Sequence, residues 1–415
     1  MEFSDFCRRM GFEADLIRQL DACRAELWDN SSEEFPFFME ESFYTHYYPL
    51  CRGPEPETVY PLMAEVASAV RSDPAAARYA SMIRYALFLA PKPLKITWVE
   101  PRERFGRNTG IYHLMIALSA LPLVEARYAR LGLPEKYAAD LAQWIGGTIG
   151  IHLAGTGVPG HFLQQTYWLR HAIEGRLFRI GRLEFLPLPW GEDMAAVYRH
   201  RSDRSLTVLC RDGWAFDEEG FRVDPASVKP AFTTKLTFFG GQVSGTPVDP
   251  FGKPIRGAVR TLDLSEWEPL CAPWEKAVTI HIPGGGGLTP DAVRDSLAEA
   301  VRFYHTYLHW DVKVFTCASW IVNPAWEREL PDSNLAAFQR NGYMTPCPVP
   351  SGKPGMFFVY GRSHADPREL PCTTRLHQAF RRIFERGEPL RTGVLFIPAD
   401  EVEMFGTEHY RKTRS

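Results

Sequence analysis

The stretch that most constrains this chain lies in its C-terminal half, where a β-branched run meets a glycine run and then a helix start. Ala277-Val278-Thr279-Ile280-His281-Ile282 has the composition of a strand. Pro283 and Gly284-Gly285-Gly286-Gly287 interrupt it. Thr289-Pro290-Asp291 then opens a helix. Thr289 suits the N-cap, Pro290 the first helical position, and Asp291 complements the positive end of the helix dipole. Val293, Leu297, Val301, Tyr304 and Leu308 line one face of that helix. Strands are expected over 312–322, 356–360 and 393–397, with helices over 334–340 and 374–386. This alternation argues for an α/β sheet that is partly parallel.

The rest of the chain has a different texture. Residues 1–150 read as helical, with apolar residues at helical intervals over 6–28, 56–70, 75–89 and 111–131. Gly132-Leu133-Pro134 ends the last of these, and a further helix starts at Glu135. Glycines punctuate 146–160, a short helical stretch covers 162–173, and 176–188 looks like a strand. The composition shift falls near 150–175, which divides the chain into a helical domain over 1–165 and a mixed domain over 166–415. Between 205 and 239 short strands and hairpins are expected, followed by a loop over 240–256. The fold class is therefore α+β or α/β, and 415 residues are enough for two such domains.

With 45% hydrophobic and 23% charged residues the chain has a globular composition. A net charge of -3 gives no reason to expect nucleic acid or an anionic membrane as partner. The longest apolar stretch, Ile111 to Val124, falls short of the roughly 18 residues of a membrane span and contains Pro122. The N-terminus lacks the pattern of a signal peptide. Eight scattered cysteines form no CxxC pair and read as reduced thiols, so a cytoplasmic setting is expected.

Several residues invite a chemical reading. Gly284 and Gly285, between strand and helix, can cradle an anion with backbone N–H groups, or can be a flexible connection. His281 at the strand's exit is either a general base or a hydrogen-bonded structural residue. Cys317 can act as a nucleophile if its thiolate is stabilised, or be an inert core thiol. Strand alternation places Cys317 and Ser319 on one face. Glu184, between Leu183 and Phe185, is either a base in a cleft or an exposed edge residue. His305 and His309 stand i, i+4 on a helix, but without the further ligands of a metal site, and no metal is expected. Arg375, Arg381, Arg382, Arg386 and Arg391 either meet phosphates or form a solvated face. The aromatics Phe35, Phe37, Phe38, Phe43, Tyr44, Tyr47 and Tyr48 line an acceptor pocket or fill a core.

Certain segments resemble a known family. They are Trp168-Leu169-Arg170-His171, Phe178-Arg179-Ile180-Gly181-Arg182-Leu183-Glu184-Phe185, His281-Ile282-Pro283 with Leu288, Cys317-Ala318-Ser319-Trp320-Ile321-Val322, and Leu330-Pro331-Asp332-Ser333-Asn334-Leu335 with Phe338. Together they are similar to bacterial acyltransferase domain-containing proteins, which pair a helical N-acyltransferase N-terminal domain with a domain like the GCN5-related N-acetyltransferase (GNAT) fold. The resemblance implies a mixed sheet flanked by helices, acyl- or acetyl-coenzyme A as co-substrate, and a small-molecule acceptor with an amine or hydroxyl. It implies Glu184 or His281 as base, and Ser319 or Cys317 beside the leaving thiolate. It also implies backbone N–H groups of a splayed strand as the oxyanion site. A GNAT phosphate loop reads Arg/Gln-x-x-Gly-x-Gly/Ala. Gln242-Val243-Ser244-Gly245-Thr246-Pro247 matches its first half, so Gln242 and Gly245 join Gly284, Gly285 and Asn334 as cofactor-binding candidates. Pro247 breaks the pattern, which keeps open an inactive scaffold that binds a small molecule or a protein.

Overall fold

A computed structural model describes residues 1–191, 194–272 and 275–412. Its contacts divide the chain into two units. One holds Met1–Arg179 with Pro283–Gly285, the other Ile180–Ile282 with the chain from Gly286 on. The division falls at Arg179 and not at 165 because the short helices Leu163–Thr166 and Leu169–Ile173 bury Leu163 and Leu169 in the N-terminal core.

The N-terminal unit is helical. The expected single helix over 6–28 is three, Phe3–Met10, Ala14–Ala22 and Arg24–Asp29. Gly11, at φ 68°, caps the first in the left-handed conformation and ends it. Asp73 caps Pro74–Arg84 by accepting from the N–H groups of Ala75 and Ala76. In Thr109–Leu118 every residue is buried, the signature of a helix enclosed by others. By length and composition the stretch Arg102–Arg130 is apolar enough to cross a membrane, contrary to the sequence expectation, yet 78% of its most apolar window is buried within the fold. Phe38, Tyr44 and Tyr48 are buried in the same core, with Phe35, Phe43 and Tyr47 packed against it.

The glycines over 146–150 do not interrupt structure. They lie inside one helix, Lys136–Thr156. Gly146 is there because a Cβ on it would stand 2.0 Å from the Cys51 carbonyl oxygen. Close by in sequence, Thr148 donates to the Ile145 carbonyl (2.7 Å), so its hydroxyl accepts from His161 Nδ1 (2.7 Å). Burial pushes His161 down to about 3 and His113 down to about 4, and both stay neutral in the folded chain.

The second unit is built on a six-stranded sheet. In chain order the strands are β1 (Phe178–Ile180), β2 (Leu183–Pro189), β3 (Ala196–His200), β4 (Leu206–Leu209), β5 (Ala215–Phe216), β6 (Phe232–Thr233), β7 (Leu236–Phe239), β8 (Gln242–Gly245), β9 (Arg260–Asp263), β10 (Trp267–Pro269), β11 (Lys276–His281), β12 (Val314–Ser319), β13 (Tyr343–Thr345) and β14 (Gly393–Pro398). The large sheet has the order β1-β2-β11-β12-β14-β13, and β3 to β10 form small antiparallel sheets inserted between β2 and β11. In the large sheet β11 and β12 pair in parallel, joined through the helix Pro290–Leu308, as a parallel pair requires. Thr289 caps that helix and Pro290 is its first residue, as the sequence indicates.

Three further expectations change. Residues 356–360 form a short helix, bracketed by Gly355 (φ 89°) and Gly361 (φ 65°), with Met356 and Tyr360 buried one turn apart. The strand expected over 312–322 ends at Ser319, whose hydroxyl accepts from Ile321 N–H and caps the turn Trp320–Val322. The loop expected over 240–256 begins as a hairpin. Gly240 and Gly241, at φ 57° and 76°, supply the two-residue turn between β7 and β8.

Two outcomes follow from the helical unit. Gly146→Ala lowers stability by about 1–3 kcal/mol through overpacking. Gly150→Ala, in the same helix with open space around it, raises stability by about 0.5–1 kcal/mol. Thermal unfolding of the two variants separates the cases. Both histidines have folded pKa values below the ordinary 6.5, so the unfolded chain binds more protons and stability falls as pH drops from 6.5 toward 3. NMR titration finds the imidazoles of His113 and His161 neutral at pH 5.5; protonation near 6.5 contradicts their enclosure.

Candidate active site

Strand register decides which side chains share a face. β2 runs antiparallel to β11, and Glu184 stands directly opposite His281. Opposed residues project from the same face with Cβ atoms about 5 Å apart. The two candidate bases, almost a hundred residues apart in sequence, are thus cross-strand neighbours. Glu184 is buried, 1% exposed, and His281 is half-buried.

The next pair along extends this polar face. Thr279 precedes His281 by two residues, so both project from one side. Thr279 stands beside Thr316 of β12, with 3.3 Å between their hydroxyl oxygens. Glu184, His281, Thr279 and Thr316 therefore form a row across three adjacent strands. Burying such groups requires hydrogen-bond partners to offset the loss of water, so a row of them on one sheet face stands out as a functional candidate.

The parallel ladder ends at this row. β11 and β12 pair at Val278–Phe315 and Thr279–Thr316, while each strand continues beyond. β12 stays paired with β14 as far as Ser319–Gly393. Past Thr316, then, β11 and β12 part, and the backbone groups on their facing edges border the opening. Ala318 is exposed although its strand lies in the middle of the sheet, which marks the opening as accessible.

Cys317 and Ser319 do not join this group. Phe315 lies on the opposite face, packed edge-on against Phe185 at 5.7 Å, and alternation puts Cys317 and Ser319 with it. Cys317 is fully buried, and burial pushes its thiol up to about 12, so no thiolate forms at neutral pH. Ser319 is occupied as a cap.

The cofactor-binding candidates also separate. Gln242 and Gly245 lie in β8, the middle strand of a small sheet, where the backbone groups serve the β7 and β9 ladders and not a phosphate. Asn334 is exposed at the start of the helix Asn334–Arg340, behind the N-cap Ser333. Gly284 and Gly285 do occupy the connection from β11 to the N-terminus of Pro290–Leu308, and Gly284, Gly285, Gly286 and Gly287 are all exposed. Gly285 and Gly286 have φ of 79° and 72°, open to glycine and costly for other residues.

Sequence reasoning missed Arg182 beside this run. Arg182 Nε donates to the Gly287 carbonyl (3.0 Å), and its N–H donates to Ser296 Oγ (2.7 Å) on the helix. Gly181, at φ 59°, makes this approach feasible, because a Cβ there would lie 2.6 Å from Ser296 Oγ. The Gly181-Arg182 turn signal was in the sequence, but its neighbour 105 positions on was not.

The C-terminal arginines are mostly committed elsewhere. Arg382 and Arg386 bind Glu329, together with Arg328, and Arg386 also binds Glu388. Arg381 donates to the Leu370 carbonyl, and Arg391 covers the Phe221 ring at 3.9 Å. His305 pairs with Asp311 (2.7 Å), while His309 is the left-handed cap of its helix. Among the described residues no group of three or more metal-ligating side chains assembles.

Comparison with known proteins agrees with this architecture. The family model described as GNAT-like C-terminal domain matches residues 177–395, just over half of the chain. No curated protein matches. Among solved structures, an acyltransferase in complex with decanoyl-CoA and teicoplanin aligns with a TM-score of 0.60 at 18% identity, over 96% of this chain and 100% of that one. An acyltransferase mutant in complex with octanoyl-CoA aligns with a TM-score of 0.60 at 18% identity, over 96% and 99%. At these identities the likeness is one of fold.

Cys317 should resist alkylation in the native chain while the half-buried Cys23 and Cys372 react. Mass spectrometry after brief iodoacetamide treatment reads this out; rapid modification of Cys317 contradicts its assignment to the core.

Proposed function

The chain belongs to the GNAT-like C-terminal domain family, and from that premise we propose that it transfers an acyl group from a coenzyme A thioester to an amine of a small-molecule acceptor. The observation that carries the reading is the Glu184–His281 pair at the mouth of the parting strands. An ammonium acceptor must lose a proton before it can attack. A carboxylate beside an imidazole on one face is suited to that step, since the carboxylate favours the protonated imidazole. The amine nitrogen then bonds to the thioester carbon. Backbone N–H groups along the parted strands are suited to the oxyanion, and the electron pair of the broken C–S bond leaves on sulfur.

The donor's phosphates suit the glycine connection. The exposed glycines lead into a helix N-terminus, whose dipole favours an anion, and Arg182 adds a guanidinium beside Gly287. Octanoyl- and decanoyl-CoA, bound in the structurally similar acyltransferases, are the donors to try first. A hydroxyl acceptor would meet the same base.

One observation favours a second reading, an inactive scaffold. The glycine run carries no Arg or Gln of its own, so donor binding depends on groups outside it. Thermal unfolding with and without these thioesters separates the two. A donor at 100 times its Kd stabilises the fold by about 2.7 kcal/mol, and no shift with any thioester favours the scaffold. If donors bind, Glu184→Gln and His281→Gln should each lower kcat by about a hundredfold or more with unfolding temperatures near that of the parent. Full turnover in both variants removes both residues from the role of base.

A further inference from the structure

The two hydroxyls in the polar row have no part in the steps above. Thr279 and Thr316 mark the last pair before β11 and β12 part. Thr316 is 8% exposed, and Thr279 is half-buried. With their oxygens 3.3 Å apart, one hydroxyl donates to the other. Two hydroxyls carry two O–H groups, so one is left over once the pair's own bond is made and is able to turn outward.

We propose that the Thr279–Thr316 pair donates this outward hydrogen bond to the thioester sulfur as it departs, making both threonines part of the acyl-transfer site. The proposal rests on the acyl-transfer reading. Cys317 and Ser319, the sulfur and oxygen groups nearest in sequence, lie on the other side of the sheet. On the side of Glu184 and His281, Thr345 belongs to β13 and bonds the Val394 carbonyl, while the Tyr343 hydroxyl bonds Glu401. Thr279 lies two residues along an extended strand from His281, about 7 Å away. A base about 3 Å from the amine and an amine about 3 Å from the reacting carbon bring the sulfur within range of the hydroxyls.

The electron count closes without proton loss from threonine. The C–N bond forms, the C–S bond breaks, and its electron pair goes to sulfur. The ammonium proton passes to the Glu184–His281 pair and returns to the thiolate through solvent. The threonine O–H lends a hydrogen bond to the growing negative charge and keeps its proton, as a group far less acidic than a thiol must.

A leaving-group comparison tests this. Turnover of decanoyl-CoA and of a decanoyl aryl thioester, whose thiol is more acidic, is measured for the parent, Thr316→Val, Thr279→Val and the two Ser variants. The Val variants should lose about tenfold in kcat with decanoyl-CoA, the scale of one lost hydrogen bond. That loss should shrink below about threefold with the aryl thioester, which needs less help to depart. The Ser variants, which keep the hydroxyl, should stay near the parent. An equal loss with both thioesters, or no loss, overturns the assignment while leaving the base pair intact. No turnover by the parent with either thioester removes the acyl-transfer reading itself.

Discussion

The site depends on the parallel pairing of β11 with β12 and on where that pairing stops. A parallel pair needs a crossover, and the capped helix Pro290–Leu308 provides it. The pairing at Val278–Phe315 and Thr279–Thr316 fixes which residues share a face. The antiparallel partners β2 and β14 then transmit that register across the sheet. Because the pair ends at Thr279 and Thr316, a sheet that is otherwise closed gains an opening in its middle. Glu184 and His281 lie at that opening, and Cys317 and Ser319 turn away from it, by the same rule of alternation. A one-residue slip of β11 would turn Thr279 and His281 to the face of Cys317 and Ser319.

The surroundings hold this geometry by close approach. Gly181 lets the β1–β2 turn meet Ser296, which ties Arg182 to the helix and the glycine connection. Gly393 pairs with Ser319 where a Cβ would stand 1.7 Å from the Val322 carbonyl oxygen. In both places a glycine admits a backbone or hydroxyl contact that any side chain would block. These contacts position strands; they do not touch the reacting groups.

Much of this was legible in the sequence because it is local. The strand 276–281, the cap at Thr289, Pro290 at the first helical position and the helices over 334–340 and 375–385 follow from neighbouring residues alone. Gly240-Gly241 is visible too, but turn and strand signals overlap there and give the composition of a loop. Residues 356–360 carry aromatic, strand-like composition, and only the glycines on each side and the buried Met356 and Tyr360 reveal a helix. The site was half legible. Glu184 and His281 were each recognisable as a possible base, but their pairing is a matter of register between distant strands. The same register explains why Cys317, attractive in a linear reading, faces the core, and why Ser319 shares that face as the cap of the next turn. Gln242 and Gly245 matched half of a loop motif, whereas the small sheet around them uses their backbone groups as ladder.

Hydrogen–deuterium exchange on the full chain, with and without decanoyl-CoA, tests the central claim most directly. If the donor enters where β11 and β12 part, amides from Ile280 to Leu288 and at Cys317 and Ala318 slow on binding, while β8 around Gln242 and Gly245 is unchanged. Saturable binding that protects β8 or the N-terminal helices, and leaves the parted strands untouched, contradicts the account.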